Sequence, residues 1–135
     1  MSVRITGRLL SHTTTFLTHE SGSTMHTMAP KDNGGDGSTF SPTDLCAASY
    51  VSCAATTIGL YAQRSGIPLE AIDFSVEKQM TPEPPRRIAR LVARFRIHSP
   101  CGEGDFAKLV NAGKTCPVRR SLHPDVAVEE TYERA

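Results

Sequence analysis

The second half of the chain carries a strong period of two. Ile72, Phe74, Val76 and Met80 alternate with Asp73, Ser75, Glu77 and Gln79, which gives one apolar face and one polar face. The next run repeats the pattern more strongly: Ala89, Leu91, Ala93, Phe95 and Ile97 share one face, and Arg90, Val92, Arg94 and Arg96 the other. The connection TPEPPRR at 81–87 cannot be helical, because its prolines lack an N–H and clash with the preceding turn. The two runs therefore predict a hairpin whose arginines face the acidic residues of the partner strand. Earlier, residues 3–10, 13–19 and 24–29 are rich in Thr and apolar residues and are divided at His12 and Gly22, which predicts three more strands. Residues 31–40, KDNGGDGSTF, read as a polar Gly/Asp loop.

Between these groups, residues 45–62 carry no charge over 18 positions. That length just reaches the lower limit for a membrane span. Ser, Thr and Ala dominate the stretch, however, so it reads as a helix of a soluble protein that is buried on all sides. Ser41 stands where an N-cap belongs, Pro42 suits the first helical position, and Asp44 can accept from the N–H of the cap residue. Ser65-Gly66 followed by Pro68 marks the stop. Residues 106–113 predict a short helix, 116–122 a further helical turn and 126–131 a last strand. Together these elements define an α+β fold: antiparallel sheets around a long buried central helix, in one domain spanning 1–135.

Composition narrows the function classes. Lys plus Arg is 15 against 14 Asp plus Glu, a net charge of +1, which argues against a dedicated nucleic-acid binder. Apolar residues at 39% and charged residues at 21% are ordinary for a folded domain. Four cysteines are few for a disulfide scaffold, and residues 1–10 run straight into strand-like alternation with no signal-peptide pattern, so a reducing cytoplasmic setting is expected.

Those cysteines carry the candidate chemistry. Cys53, mid-helix, has the surroundings of a small buried hydrophobe. Cys46 lies seven residues earlier on the same face, about 10 Å away, too far for a disulfide. Cys116 precedes Pro117 and is followed by Arg119 and Arg120, a setting that serves equally for a helix cap or for a thiol biased towards thiolate. Cys101 sits in a Pro-Cys-Gly-Glu-Gly turn and is expected to be exposed. His98, Cys101, Cys116 and His123 match no zinc-finger spacing. The glycine loop at 33–37 lacks the Lys-Ser/Thr of a phosphate loop. The arginines of 86–96 read mainly as a solvated sheet face, with Arg86 and Arg87, on the loop, least explained by pairing.

Taken jointly, Gly34-Gly35, Ser41-Pro42-Thr43-Asp44-Leu45, a small-residue helix reaching Cys53, and Cys116-Pro117-Val118 with Ser121-Leu122 resemble the OsmC/Ohr family of osmotically inducible and organic hydroperoxide resistance proteins. The resemblance spans nearly the whole chain, and the stretch Pro85-Arg86-Arg87-Ile88-Ala89 is similar to a less characterised OsmC-like branch. It implies an intertwined homodimer and a thiol peroxidase without metal or other cofactor. In that scheme Cys53 attacks a hydroperoxide, Cys116 resolves the sulfenic acid as a disulfide, and a dithiol reductant reopens it. Neither a nucleic acid nor a membrane is an implied partner. Classical members carry a Glu directly after the loop proline, paired with an N-terminal Arg. Here Thr43 follows Pro42 and the acid comes one position later, at Asp44; the supporting candidates are Asp44, Thr43, Arg86 and Arg87. Two other classes fit the same residues: a module binding small hydrophobic ligands, and a thiol-disulfide sensor or exchange protein.

Overall fold

The computed structural model describes residues 1–135, which cluster into two compact units, Met1–Cys46 and Ala47–Ala135. In the first unit, β1 (Ile5–Leu9), β2 (Thr14–His19) and β3 (Thr24–Met28) form an antiparallel meander in the order β1-β2-β3, within two residues of the expected strands. A 3-10 turn at Lys31–Asn33 then shapes the front of the expected loop. Gly35 follows, where a side chain is impossible: a Cβ would stand 1.8 Å from the carbonyl oxygen of Ala29.

Helix α1 (Pro42–Ser65) starts in the first unit and runs on into the second. Its start is the reciprocal cap that the sequence implies. The Asp44 N–H donates to Ser41 Oγ at 3.1 Å, and the Ser41 N–H donates to Asp44 Oδ2 at 2.9 Å, so two donors that the helix leaves unpaired are satisfied.

In the second unit, β4 (Ala71–Met80), β5 (Ile88–His98) and β6 (Ala127–Arg134) form a sheet in the order β4-β5-β6. The β4–β5 hairpin has the expected pairing, with Phe74 opposite Phe95 and Val76 opposite Ala93. Leu91, Ala93, Phe95 and Ile97 of β5 are all fully buried. Against them lies the stripe Ala47, Tyr50, Val51, Ala54, Ile58 and Ala62 of α1, whose three- and four-residue spacing keeps it on one side of the helix.

Four expectations need correction. First, α1 is buried along that stripe and not all round; Ser49, Ser52, Thr56 and Leu60 are exposed. Small uncharged residues tolerate water or protein equally, so the missing charges did not distinguish the two cases. Second, β6 pairs parallel to β5, with Leu91 opposite Val128 and Phe95 opposite Tyr132, because α2 (Glu103–Gly113) and α3 (Pro117–Ser121) form a crossover between them. The α+β class stands, but this sheet is mixed. Third, the β5 arginines pair with β6: Arg90 with Glu129, and Arg96 with Glu133 at 3.1 Å. Asp73, opposite Arg96 on β4, pairs with His98 at 2.8 Å instead. Fourth, α2 begins three residues early, at Glu103, where Glu103 and Asp105 in the first turn favour the positive end of the helix.

The crossover ends tightly. A Cβ on Gly113 would lie 2.9 Å from both Ile58 Cδ1 and the Tyr132 hydroxyl, so glycine lets α2 approach α1 and β6 without displacing these two side-chain ends.

Phe95 is fully buried and stacks on Tyr132 with ring centres 4.6 Å apart and planes within 7°. Phe95→Ala is expected to destabilise the protein by about 3–5 kcal/mol, measured as a lower denaturant midpoint. Ser41→Ala, which removes half of the α1 cap, is expected to cost about 1 kcal/mol in the same assay.

Candidate active site: a buried dithiol with a tyrosine–glutamate–arginine shell

Cys53 and Cys116 stand 63 residues apart in sequence, yet the second unit brings them together. Cys53 is half-buried on α1 and packs against the cluster that contains Cys116. Cys116 is fully buried at the N-cap of α3, with extended backbone (φ −63°, ψ 147°) and Pro117 at the first helical position. Its Sγ accepts the N–H of Arg119 at 3.3 Å, so the cap reading of this cysteine is realised. The two thiols also hydrogen-bond each other, and that bond favours the protonated form of Cys116.

The electrostatics of Cys116 run opposite to the thiolate bias read from its sequence neighbours. Loss of water around the sulfur pushes its pKa up; the Arg119 N–H pulls the other way, and Cys53 and the charge of Glu130 add to the rise. Burial outweighs the cap. Arg120, expected to help, is exposed on α3.

The polar shell comes from α3 and β6. The Glu130 side chain is 12% exposed. Its Oε2 accepts the Tyr132 hydroxyl at 2.7 Å, and its Oε1 lies 3.6 Å from Arg119 Nε. Tyr50, one turn before Cys53, is fully buried, and its hydroxyl has no partner within 3.5 Å but feels the Glu130 carboxylate. Burial pushes both phenols well above the usual range for tyrosine, and Glu130 adds to each shift. Sequence reasoning missed Glu130 and Tyr132. The one signal available was their alternation with Glu129 and Thr131 on a strand, which puts them on one face.

Thr43 and Asp44 are in the first turn of α1, where Asp44 completes the cap and the Thr43 hydroxyl lies 3.2 Å from Ser41 Oγ. Arg86 and Arg87 are exposed on the β4–β5 loop, and the Arg87 guanidinium donates to the carbonyls of Ile88 at 3.1 Å and Asp125 at 3.3 Å. Cys101 is half-buried against the Ile58–Ile97–Leu109 cluster, not exposed as expected, and Cys46 is half-buried on α1. His98 is paired with Asp73, and His123 lies 3.7 Å from Asp125.

The OsmC-like protein family model matches residues 35–131. The chain belongs to the OsmC-like family. It is 31% identical to an "osmotic stress induced and detoxification response protein" of Psychrobacter arcticus 273-4, with a TM-score of 0.85 over 98% of this chain and 95% of that one. An OsmC-like protein of Mycoplasma pneumoniae shares 17% identity, with a TM-score of 0.82 over 100% of this chain and 98% of the other. The organic hydroperoxide resistance protein OsmC of Legionella pneumophila shares 19%, with a TM-score of 0.72 over 98% and 97%. Among curated proteins, none matches the chain in sequence. The OsmC fold thus extends over essentially the whole chain. Helix α1 is long and apolar enough to cross a membrane, and its buried stripe packs on β5.

Cys116, Tyr50 and Tyr132 each hold a proton more tightly folded than unfolded. Their contribution to stability is therefore complete below the unfolded pKa values, about 8.5 for a thiol and about 10 for a phenol, and is lost as pH rises towards the folded ones. The denaturant midpoint is expected to fall between pH 8 and pH 10.5, and the fall to be smaller in Cys116→Ser.

Proposed function

We propose that this protein is a thiol-dependent peroxidase that reduces organic hydroperoxides through a two-cysteine cycle, acting as a cytoplasmic, single-domain homodimer. The observation that carries the reading is the hydrogen-bonded pair of Cys53 and Cys116 thiols inside an apolar cluster. The names of the Psychrobacter and Legionella proteins, in detoxification and hydroperoxide resistance, point the same way.

The chemistry needs only the two sulfurs and an external reductant. The Cys53 thiolate, receiving the S–H of Cys116, attacks the terminal oxygen of R–O–O–H. The O–O bond breaks, an S–O bond forms, and Cys53 is oxidised by two electrons to sulfenic acid while the alkoxide takes up a proton and leaves as an alcohol. Cys116 then attacks the Cys53 sulfur, an S–S bond forms, and the sulfenic oxygen departs as water with the Cys116 proton. A dithiol reductant supplies two electrons and two protons and restores both thiols. Cys53 is thereby the peroxidatic residue and Cys116 the resolving one. The Arg119–Glu130 pair takes the place of an acid after the loop proline: it sets a cation and an anion beside the dithiol from α3 and β6.

Complete burial of Cys116 weighs against the exchange of disulfides with protein thiols, which needs an accessible sulfur. A second reading, a module for small hydrophobic ligands, draws support from a cavity of about 570 Å³ lined by Thr57, Leu60, Tyr61, Lys108 and Pro117 among others.

Reduced protein treated with one equivalent of cumene hydroperoxide is expected to form a Cys53–Cys116 disulfide, mapped by peptide mass spectrometry. Cys116→Ser should accumulate Cys53 sulfenic acid, trapped with dimedone, and Cys53→Ser should leave the hydroperoxide intact. A wild-type protein whose Cys53 stays a free thiol while the peroxide persists would overturn the peroxidase reading in favour of the ligand module.

A further inference from the structure

Tyr50 is the group that the cycle above leaves without a task. It is fully buried on α1, three residues before Cys53 and so on the neighbouring part of the same helix face, in the cluster that also contains Cys116. Its hydroxyl has no partner within 3.5 Å, and the Glu130 carboxylate is the only acceptor that draws on its proton. The nearby carboxylate of Glu130 is taken up on one oxygen by Tyr132, and the other lies against Arg119. A buried donor so poorly paired costs stability, and natural proteins seldom retain one without a use for it.

The resolving step supplies such a use. In the reduced protein Cys116 is a protonated thiol that shares a hydrogen bond with Cys53. Once Cys53 has become a sulfenic acid, Cys116 must act as a thiolate to displace the oxygen, and it must do so without water. The groups around it are Cys53 on α1, Arg119 on α3, and Glu130 and Tyr132 on β6, while β5 offers only Leu91, Ala93 and Phe95. Glu130 opposes a second negative charge here, and the Arg119 N–H at 3.3 Å is one donor to the sulfur. A second donor is needed, and the Tyr50 hydroxyl stands in the same cluster.

We infer that Tyr50 is a positioning residue for the resolving step, its loosely held O–H turning from Glu130 to donate to the Cys116 sulfur as that sulfur becomes a thiolate. This rests on the peroxidase reading and adds to it: Tyr50 is assigned to disulfide formation and not to the attack on peroxide. No atom is transferred through it; the Cys116 proton leaves with the sulfenic oxygen as water, and the hydroxyl only meets charge while it sits on sulfur.

The test is Tyr50→Phe, followed by stopped flow with cumene hydroperoxide across pH 6–10. Sulfenic acid formation at Cys53, read by dimedone trapping in the Cys116→Ser background, is expected to stay within about twofold of its value with Tyr50 intact. Disulfide formation is expected to slow about tenfold at neutral pH, the equivalent of one lost hydrogen bond to a charged group. The pH at which that rate reaches half its plateau should move upward, because Cys116 loses a donor to its anionic form; a purely structural role would leave this midpoint in place. The melting temperature should change little, since the hydroxyl removed was buried and poorly paired. An unchanged resolving rate and midpoint would overturn the assignment while leaving the peroxidase intact. A variant that fails to fold would overturn it too, because the hydroxyl would then be a structural partner and not a spare donor. Loss of Cys53 oxidation only in Tyr50→Phe would place Tyr50 at the peroxide step and also refute it. If Cys53 of the wild type does not react, both readings fall together.

Discussion

The contact on which the rest depends is that between one stripe of α1 and the central strand β5. Ala47, Tyr50, Val51, Ala54, Ile58 and Ala62 recur every three or four residues, and Leu91, Ala93, Phe95 and Ile97 recur every two. The two periods belong to different elements and meet only because each presents a single dry face. With alanines at three of its six positions, the stripe lets the helix come close to the sheet, and Cys53 packs against the cluster that the two form. Burial of this kind is worth roughly 25 cal/mol per Å² of apolar surface, so the side chains that form it govern stability and site geometry together.

Cys116 depends on the same contact by a different route. The chain leaves β5, turns through α2 and α3, and returns as β6 parallel to β5. That crossover brings Cys116, the α3 cap, into the cluster of α1 and β5, with Glu130 and Tyr132 on β6 beside it. A hairpin connection would have run β6 the other way and sent those side chains to different neighbours. Gly113, where α2 closes on Ile58 and Tyr132, shows how little room the crossover leaves.

The electrostatic character of the site follows from its dryness. Cys116 has a helix start and an arginine beside it, features that in water favour thiolate, yet its pKa moves upward because the sulfur is buried. The same desolvation raises both tyrosines, and Glu130, with Arg119 and Tyr132 as partners, is the carboxylate they face. A dry dithiol suits chemistry in which charge appears only briefly on sulfur, and it keeps water from competing with the second thiol for an oxidised first one.

Local chemistry was legible in the sequence. The period of two gave β4 and β5, Ser41 and Asp44 gave the start of α1, and Cys116-Pro117 gave the cap of α3, because each is decided by residues within a few positions of one another. Cys53 and Cys116 were nameable as a pair through family resemblance, though not their approach. Partnership over long range was not legible. The glutamates of β6 attract Arg90 and Arg96 only because β6 lies parallel beside β5, and no local pattern states which strand will be the neighbour. The shell of Tyr50, Arg119, Glu130 and Tyr132 assembles from three elements, and the exposed back of α1 looks in sequence just like its buried front. Sequence set the elements, their dry faces and the identity of the thiols. Tertiary structure alone decided that the thiols meet and that burial, not the neighbouring cations, governs the proton on Cys116, because desolvation is a property of everything that surrounds an atom and not of the residues beside it in the chain.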